Sequence, residues 1–125
     1  MLESYQVEHN SQDIYFRSIV GAAEAGSRLR LGIRIRTDEP VQQVLVRLWQ
    51  DRTGERLVPL ETRDTQGAQR FYTCWAELPD YGCLLWYYFI ITTESGTYFY
   101  GNNEEMLGGV GMLSNTAPAS YQVTI

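Results

Sequence analysis

The sequence predicts an all-β fold, and two observations carry this prediction. The first is strict alternation in residues 28–36, where four aliphatic residues share one face and four arginines share the other. The second is a series of turn signals that divide the chain into short apolar segments, at 38–40, 51–54, 79–82 and 95–96. No stretch of about ten residues has a helical period. The predicted architecture is an immunoglobulin-like antiparallel β-sandwich of seven or eight short strands.

The individual strands follow from local pattern and from residue type. In residues 44–49, Val44, Val46 and Leu48 alternate with a more polar set that includes Arg47 and Trp49. The other segments are rich in β-branched and aromatic residues, which favour strands. In chain order, the predicted strands are 28–36, 44–49, 56–62, 71–77, 84–93, 97–101 and 120–125.

The segment 84–91, with 97–101 after it, is unusually dense in aromatic rings. Successive side chains of a strand point to opposite sheet faces, so some of these rings must point outward. Exposed Trp and Tyr side chains on a rigid sheet are typical of a surface that recognises a sugar or another domain. If residues 79–82 close a hairpin, Trp75 lies opposite Trp86, and both point away from the core together with Tyr88.

The next hairpin, between Thr92 and Tyr98, has two alternatives. A two-residue turn at 95–96 places Thr92 opposite Phe99 and adds Phe99 to the outward aromatic set. A three-residue loop at 94–96 adds Tyr98 and Tyr100 instead. A one-residue shift of register exchanges the two faces, so the sequence leaves both alternatives open.

Composition narrows the classes of partner. The chain has 125 residues, a net charge of −5 and ten cationic side chains, all of them arginine. A net acidic chain is a poor nucleic-acid binder, and no segment approaches the roughly 20 apolar residues of a membrane span. The first residues lack the features of a signal peptide, so we expect a cytoplasmic location.

The sequence predicts no catalytic residues, metal site or cofactor within this chain. The acidic residues occur in turns and at strand ends with no pairing of the kind that glycoside hydrolysis needs. His9 is the only histidine and has no evident nucleophile beside it, so we expect it to form structural hydrogen bonds.

Several motifs resemble the N-terminal domain of neopullulanase- and cyclomaltodextrinase-like enzymes, which belong to the α-amylase superfamily (glycoside hydrolase family 13). The family pattern is a His-Asp-Ser segment, a Tyr-Arg step and a Gly-Ala turn before the first long strand. Asn10 replaces the usual Asp, and Ile19-Val20 replaces a Pro-containing pair. The matching segments are His9-Asn10-Ser11, Phe16-Arg17, Gly21-Ala22, Leu84–Phe89, Thr97–Gly101, Gly108–Gly111 and Ser120–Thr124.

The resemblance implies a non-catalytic domain similar to carbohydrate-binding module family 34. It implies that residues 1–125 precede a (β/α)8 barrel that degrades α-glucans and begins after Ile125. The strand-like end at 121–125 is also what we expect of a domain cut from a longer polypeptide. The resemblance also implies a role known in several relatives, in which such a domain helps to form a homodimer and walls the partner's active-site cleft.

Three functions therefore compete: an accessory domain that packs on the barrel of the same chain or on a second subunit, an independent module that binds α-glucan oligosaccharides, and an unrelated immunoglobulin-like interaction domain. Two sets of residues are candidates for the contacts, as carbohydrate or interface sites. The aromatic patch is Trp49, Trp75, Trp86, Tyr88 and Phe99, and the candidate interface arginines are Arg28, Arg30, Arg34 and Arg36.

Overall fold

The structure, a computed structural model, describes residues 1–125 and is built almost entirely of antiparallel strands. After a short 3-10 turn at Ser4–Gln6, the strands are β1 (Val7–Glu8), β2 (Arg28–Arg36), β3 (Val41–Gln50), β4 (Gly54–Pro59), β5 (Glu61–Gln66), β6 (Gln69–Glu77), β7 (Leu84–Thr93), β8 (Gly96–Gly101), β9 (Met112–Ser114) and β10 (Tyr121–Thr124). The prediction of an all-β sandwich is confirmed.

Two sheets form the sandwich. The four-stranded sheet has the order β1-β2-β6-β5, and the six-stranded sheet has the order β4-β3-β7-β8-β9 with β10 added beside β7. Strand β10 pairs with the first half of β7, where Tyr121 lies opposite Tyr87, and β8 pairs with the second half, where Tyr100 lies opposite Phe89. Because β3 occupies the other edge of β7, β10 and β8 lie end to end along one edge.

The core lies between the inner faces of the two sheets. Alternation decides which side chains are buried, since every second residue of β2, β3 and β7 points inward. Burial of each large apolar side chain contributes about 1.5–3 kcal/mol. The core therefore contains the alternate residues of these three strands: Leu29, Leu31, Ile33, Ile35, Val44, Val46, Leu48, Leu85, Tyr87, Phe89 and Ile91.

The predicted strand 56–62 is in fact two strands in different sheets. Strand β4 belongs to the six-stranded sheet and β5 to the four-stranded sheet. The buried residue Leu60 lies at the crossing, and its N–H donates to the carbonyl of Val44 at 2.8 Å. Chains often change sheets at such a corner in a sandwich. Strands β1 and β9 were not predicted because two or three residues are too few to show alternation.

The predicted hairpin across residues 79–82 is wrong. Strand β6 pairs with β2 and β5, whereas β7 pairs with β3, β8 and β10, so the connection crosses from one sheet to the other. Inner faces of two packed sheets meet in one core, but their outer faces lie on opposite sides of the molecule. Trp75 and Trp86 therefore share no surface.

The second hairpin has the register that places Phe99 outward. Its turn is Glu94-Ser95, with Thr93 opposite Gly96 and Ile90 opposite Phe99. Tyr98 and Tyr100 are buried, so the alternative that adds them to the outer surface is wrong. The alternative with a two-residue turn at 95–96 assigns the correct faces. Its pairing is shifted by two residues, because Thr92 pairs with Thr97 rather than with Phe99.

His9 lies at the centre of the molecule and is fully buried. Its Nδ1 is 2.7 Å from the carbonyl oxygen of Gly32, and its Nε2 is 2.8 Å from the hydroxyl of Tyr87. The rings of Phe89 and Tyr121 lie 4.8 and 5.0 Å from the imidazole. These contacts join the two sheets, and the prediction of a structural histidine is confirmed.

Candidate functional site

The outer face of the six-stranded sheet carries a continuous apolar and aromatic surface. The register of β4, β3 and β7 sets up rows of outward side chains across the strands: Trp49 lies opposite Trp86, and Arg47 lies opposite Tyr88. Ile90 then lies opposite Phe99 on β8. We call this surface the aromatic face, and its members are Leu45, Arg47, Trp49, Leu57, Trp86, Tyr88, Ile90 and Phe99.

Arg47 occupies the middle of the aromatic face. Its guanidinium carbon lies 5.1 Å from the ring centroid of Trp49 and 5.3 Å from that of Tyr88. Its Nε also donates to Glu55 at 2.8 Å. The only cation on this face is thus already paired within the domain and packed on aromatic rings, which suits burial against another surface.

The large apolar side chains of the aromatic face are incompletely covered. Trp49 is 36% exposed and Leu57 is 47% exposed. Trp86, Tyr88 and Phe99 are half-buried, and the rings of Tyr88 and Phe99 meet edge to face at 6.1 Å. Contiguous exposed patches of this kind mark interaction sites in soluble proteins.

A shallow depression of about 350 Å³ adjoins the aromatic face at Trp86. Asp51, Arg52 and Tyr81 contribute polar groups to its lining. The guanidinium of Arg52 lies 5.0 Å from the ring of Tyr81, whose hydroxyl accepts from the Gln50 amide at 3.1 Å. An aromatic wall beside hydrogen-bonding groups can hold a polar ring such as a sugar.

The structure brings together four of the five predicted patch residues. Trp49, Trp86, Tyr88 and Phe99 share the aromatic face, whereas Trp75 lies on the outer face of the other sheet, opposite Arg30 of β2. The cause is the sheet crossing after β6, because the sequence prediction assumed that β6 and β7 were neighbours. The predicted patch does not include Leu57 and Ile90. Each of them precedes an inward-facing residue, Val58 or Ile91, so strand alternation would have assigned both to the outer face.

The predicted arginine row lies along β2, but contacts within the domain already occupy most of it. Arg28 approaches Glu77 at 3.5 Å, and Arg34 pairs with Glu8 at 2.6 Å. Arg30 donates to the backbone carbonyls of Ile14 and Tyr15 at 2.7 and 3.2 Å. Arg36 makes no ion pair in the domain and is exposed. These contacts fix the 14–16 segment over the four-stranded sheet and leave little of the row free for a partner.

Comparison with known proteins gives relatives of one kind. The chain is 30% identical over 121 residues to an amylopullulanase of Thermoanaerobacter thermohydrosulfuricus, and 27% identical over 122 residues to one of Thermoanaerobacterium saccharolyticum. A third, of Thermoanaerobacterium thermosulfurigenes, is 26% identical over 122 residues. The chain is homologous to one small segment of amylopullulanases. Each match covers 95% of the chain but only 6–9% of the relative.

The fold comparison agrees with the sequence comparison. A solved cyclomaltodextrinase superposes with a TM-score of 0.67 at 15% identity, covering 97% of this chain and 19% of that one. At this identity the likeness concerns the fold alone. No protein-family model matches the chain. The amylopullulanase matches fit the N-terminal domain of an α-amylase-family enzyme, and the cyclomaltodextrinase superposition shows the fold alone, so the resemblance drawn from the sequence motifs is confirmed.

The chain offers no evident site for a metal ion. No group of three His, Cys, Asp or Glu side chains is placed to hold one. The structure also contains no helix long and apolar enough to cross a membrane. The aromatic face and the depression beside Trp86 are its main candidate sites.

Proposed function

We propose that this chain is a non-catalytic accessory domain of an α-glucan-degrading glycoside hydrolase, of the type that acts on pullulan, cyclodextrins or maltooligosaccharides. The observation that carries the proposal is the asymmetry of the amylopullulanase matches, which take in 95% of this chain and less than a tenth of each relative. A segment of that size cannot account for the whole activity of those proteins. A cytoplasmic location is part of the proposal.

In this proposal the aromatic face packs against the catalytic part of the same polypeptide. Tyr, Trp and Arg are the residue types enriched in interface cores, and Lys, which is depleted there, does not occur in this chain. Arg47 brings its own counter-ion, Glu55, so burial of the face leaves no charge without a partner. The chain matches less than a tenth of each relative, so a polypeptide of that length has enough further surface to cover the aromatic face.

Two substitutions of the same kind test the docking. In the complete polypeptide, we expect Trp49→Asp to lower the thermal transition by several degrees, because it would bury a carboxylate in the interface. The matched control Trp75→Asp, on the opposite sheet, should leave that transition within about 1 °C. In the 125-residue chain alone, Trp49→Asp should lower the transition by less than in the complete polypeptide, because only the packing of Trp49 within the domain is lost. Equal effects of the two substitutions in the complete polypeptide would contradict docking through the aromatic face.

An activity assay tests separately whether the chain belongs to a glycoside hydrolase. We expect the complete polypeptide to release reducing sugars from pullulan or maltodextrin and the 125-residue chain to release none. A complete polypeptide that folds but cleaves no α-glucan would contradict the proposal.

The second candidate is an independent α-glucan-binding module, and the polar depression beside Trp86 favours it. Saturable binding of maltoheptaose to the 125-residue chain, abolished by Trp86→Ala, would support this function at the aromatic face.

The third hypothesis, an unrelated immunoglobulin-like interaction domain, has no support from the amylopullulanase matches. A homodimer formed through the aromatic face would appear in light scattering of the complete polypeptide as twice the monomer mass.

A further inference from the structure

Trp75 presents a second aromatic surface, on the opposite side of the sandwich from the aromatic face. It lies in β6 and is 54% exposed. Its surroundings are polar, because Arg30 lies opposite it on β2, and Thr73, two residues earlier, lies opposite Glu61 on β5. An indole ring half in water among hydrogen-bonding side chains contributes little to the core.

The chain itself covers one side of this ring. The guanidinium carbon of Arg28 lies 4.7 Å from the ring centroid, and Arg28 Nε is 3.5 Å from a carboxylate oxygen of Glu77. Arg28 comes from β2, the strand on one side of β6. The cation stacked on the indole restricts the orientation of the ring.

Trp75 also borders a depression on the β5 side of β6. The depression has a volume of about 450 Å³ and is lined by Trp75 together with Pro59, Glu61, Thr62, Arg63 and Thr73. Arg28 is not among the residues that line this depression. Glu61 and Arg63 make no ion pairs within the domain, and their charged ends are free to meet a ligand.

We infer that the Trp75 depression binds one pyranose unit of a glucan chain. The apolar C–H face of a pyranose ring can pack against the exposed part of the indole. A carboxylate, a guanidinium and a hydroxyl, from Glu61, Arg63 and Thr73, can then pair with the sugar hydroxyls in charge-assisted hydrogen bonds. The assignment of the glucan as α-linked rests on the proposed function.

This site is independent of docking through the aromatic face. Trp75 and Trp86 point away from opposite sheets, so a protein surface packed on one leaves the other open. The domain could then hold a glucan chain on one side while the other side contacts the catalytic part.

The test uses the three tryptophans of the 125-residue chain, which give three indole N–H signals in a ¹H–¹⁵N spectrum. Titration with maltoheptaose should shift the Trp75 signal saturably. Trp75→Ala should weaken binding by about tenfold or more, and Arg63→Ala by a smaller factor. The matched control Tyr5→Ala, an exposed aromatic residue outside both candidate sites, should change the dissociation constant less than about twofold. Since Trp75 is exposed, the variant should keep its fold, which circular dichroism checks.

A parallel titration with cellohexaose, a β-glucan, separates this inference from the proposed function. Binding of cellohexaose alone, lost in Trp75→Ala, would support the pyranose site and contradict the α-glucan assignment. The inference is overturned if neither glucan shifts the Trp75 signal at about 10 mM, or if Trp75→Ala binds as tightly as the wild-type chain.

Discussion

His9 is buried between the two sheets in a way that admits only one protonation state. A backbone carbonyl can only accept, so the 2.7 Å contact with Gly32 requires Nδ1 to carry a proton. Nε2 then accepts from the Tyr87 hydroxyl at 2.8 Å. A second proton would remove this acceptor and place a charge in the core. Burial, assisted by the nearby Arg17 charge, lowers the pKa of His9 from 6.5 to about 3.

Because the pKa of His9 is lowered by folding, the free energy of unfolding decreases as the pH falls from about 6.5 to about 3. In the unfolded chain His9 takes up a proton near pH 6.5, whereas in the folded chain it does so only near pH 3. The unfolded state therefore binds more protons between these values. The contribution of His9 is fully present above pH 6.5 and is lost at up to about 1.4 kcal/mol per pH unit as pH falls. At pH 4.5 the loss is roughly 3 kcal/mol, a large share of the 5–15 kcal/mol typical of a domain.

Because the chain has one histidine, the assay is simple. Urea unfolding at several pH values between about 7.5 and 4.5 gives the slope, and His9→Gln is the control, since an amide can both donate and accept but does not titrate in this range. Carboxylates contribute equally to both proteins, so the difference in slope belongs to His9. A His9 Cε1–H signal that titrates near pH 6.5 in the folded chain, or equal slopes for both proteins, would refute the reasoning.

Two further predictions concern packing and thiol access. Gly111→Ala should destabilise the fold by at least about 2 kcal/mol, because a Cβ there would overlap the carbonyl oxygen of Gly101 and the hydroxyl of Tyr121. Gly21→Ala, where a Cβ meets nothing within 4 Å, is its control, and equal melting temperatures of the two variants would contradict the prediction. Burial raises the pKa of the Cys74 thiol to about 11, so Cys74 should react with a disulfide reagent at pH 8 only after unfolding. Rapid modification of both cysteines in the folded chain would count against it.

Alternation along single strands was enough to predict the core. Leu29, Val46 and Phe89 are buried because period-2 patterning assigns each residue to one of two faces, and only one face can be apolar and covered. The same local signal does not say which strand lies beside which. A short loop after β6 is compatible with a hairpin or with a crossing between sheets, and these differ in where outward residues end up. Trp75 was misplaced for this reason.

The remaining differences come from long-range contacts that a sequence pattern does not contain. Leu60 lies between β4 and β5, and its N–H donates to the carbonyl of Val44 in β3, a residue distant in sequence. The position of the Glu94-Ser95 turn follows from the pairing of Ile90 with Phe99, and the burial of Tyr98 and Tyr100 accompanies that register. Tertiary packing selects between registers that are locally equivalent.

The most direct test of the central claim is hydroxyl-radical footprinting of the tryptophans in the complete polypeptide and in the 125-residue chain. If the aromatic face packs on the catalytic part, Trp49 should be oxidised about fivefold or more slowly in the complete polypeptide, because docking removes the surface that is now 36% exposed. Trp75, 54% exposed on the other sheet, should react at the same rate in both. Equal oxidation of Trp49 in the two proteins would contradict docking through this face.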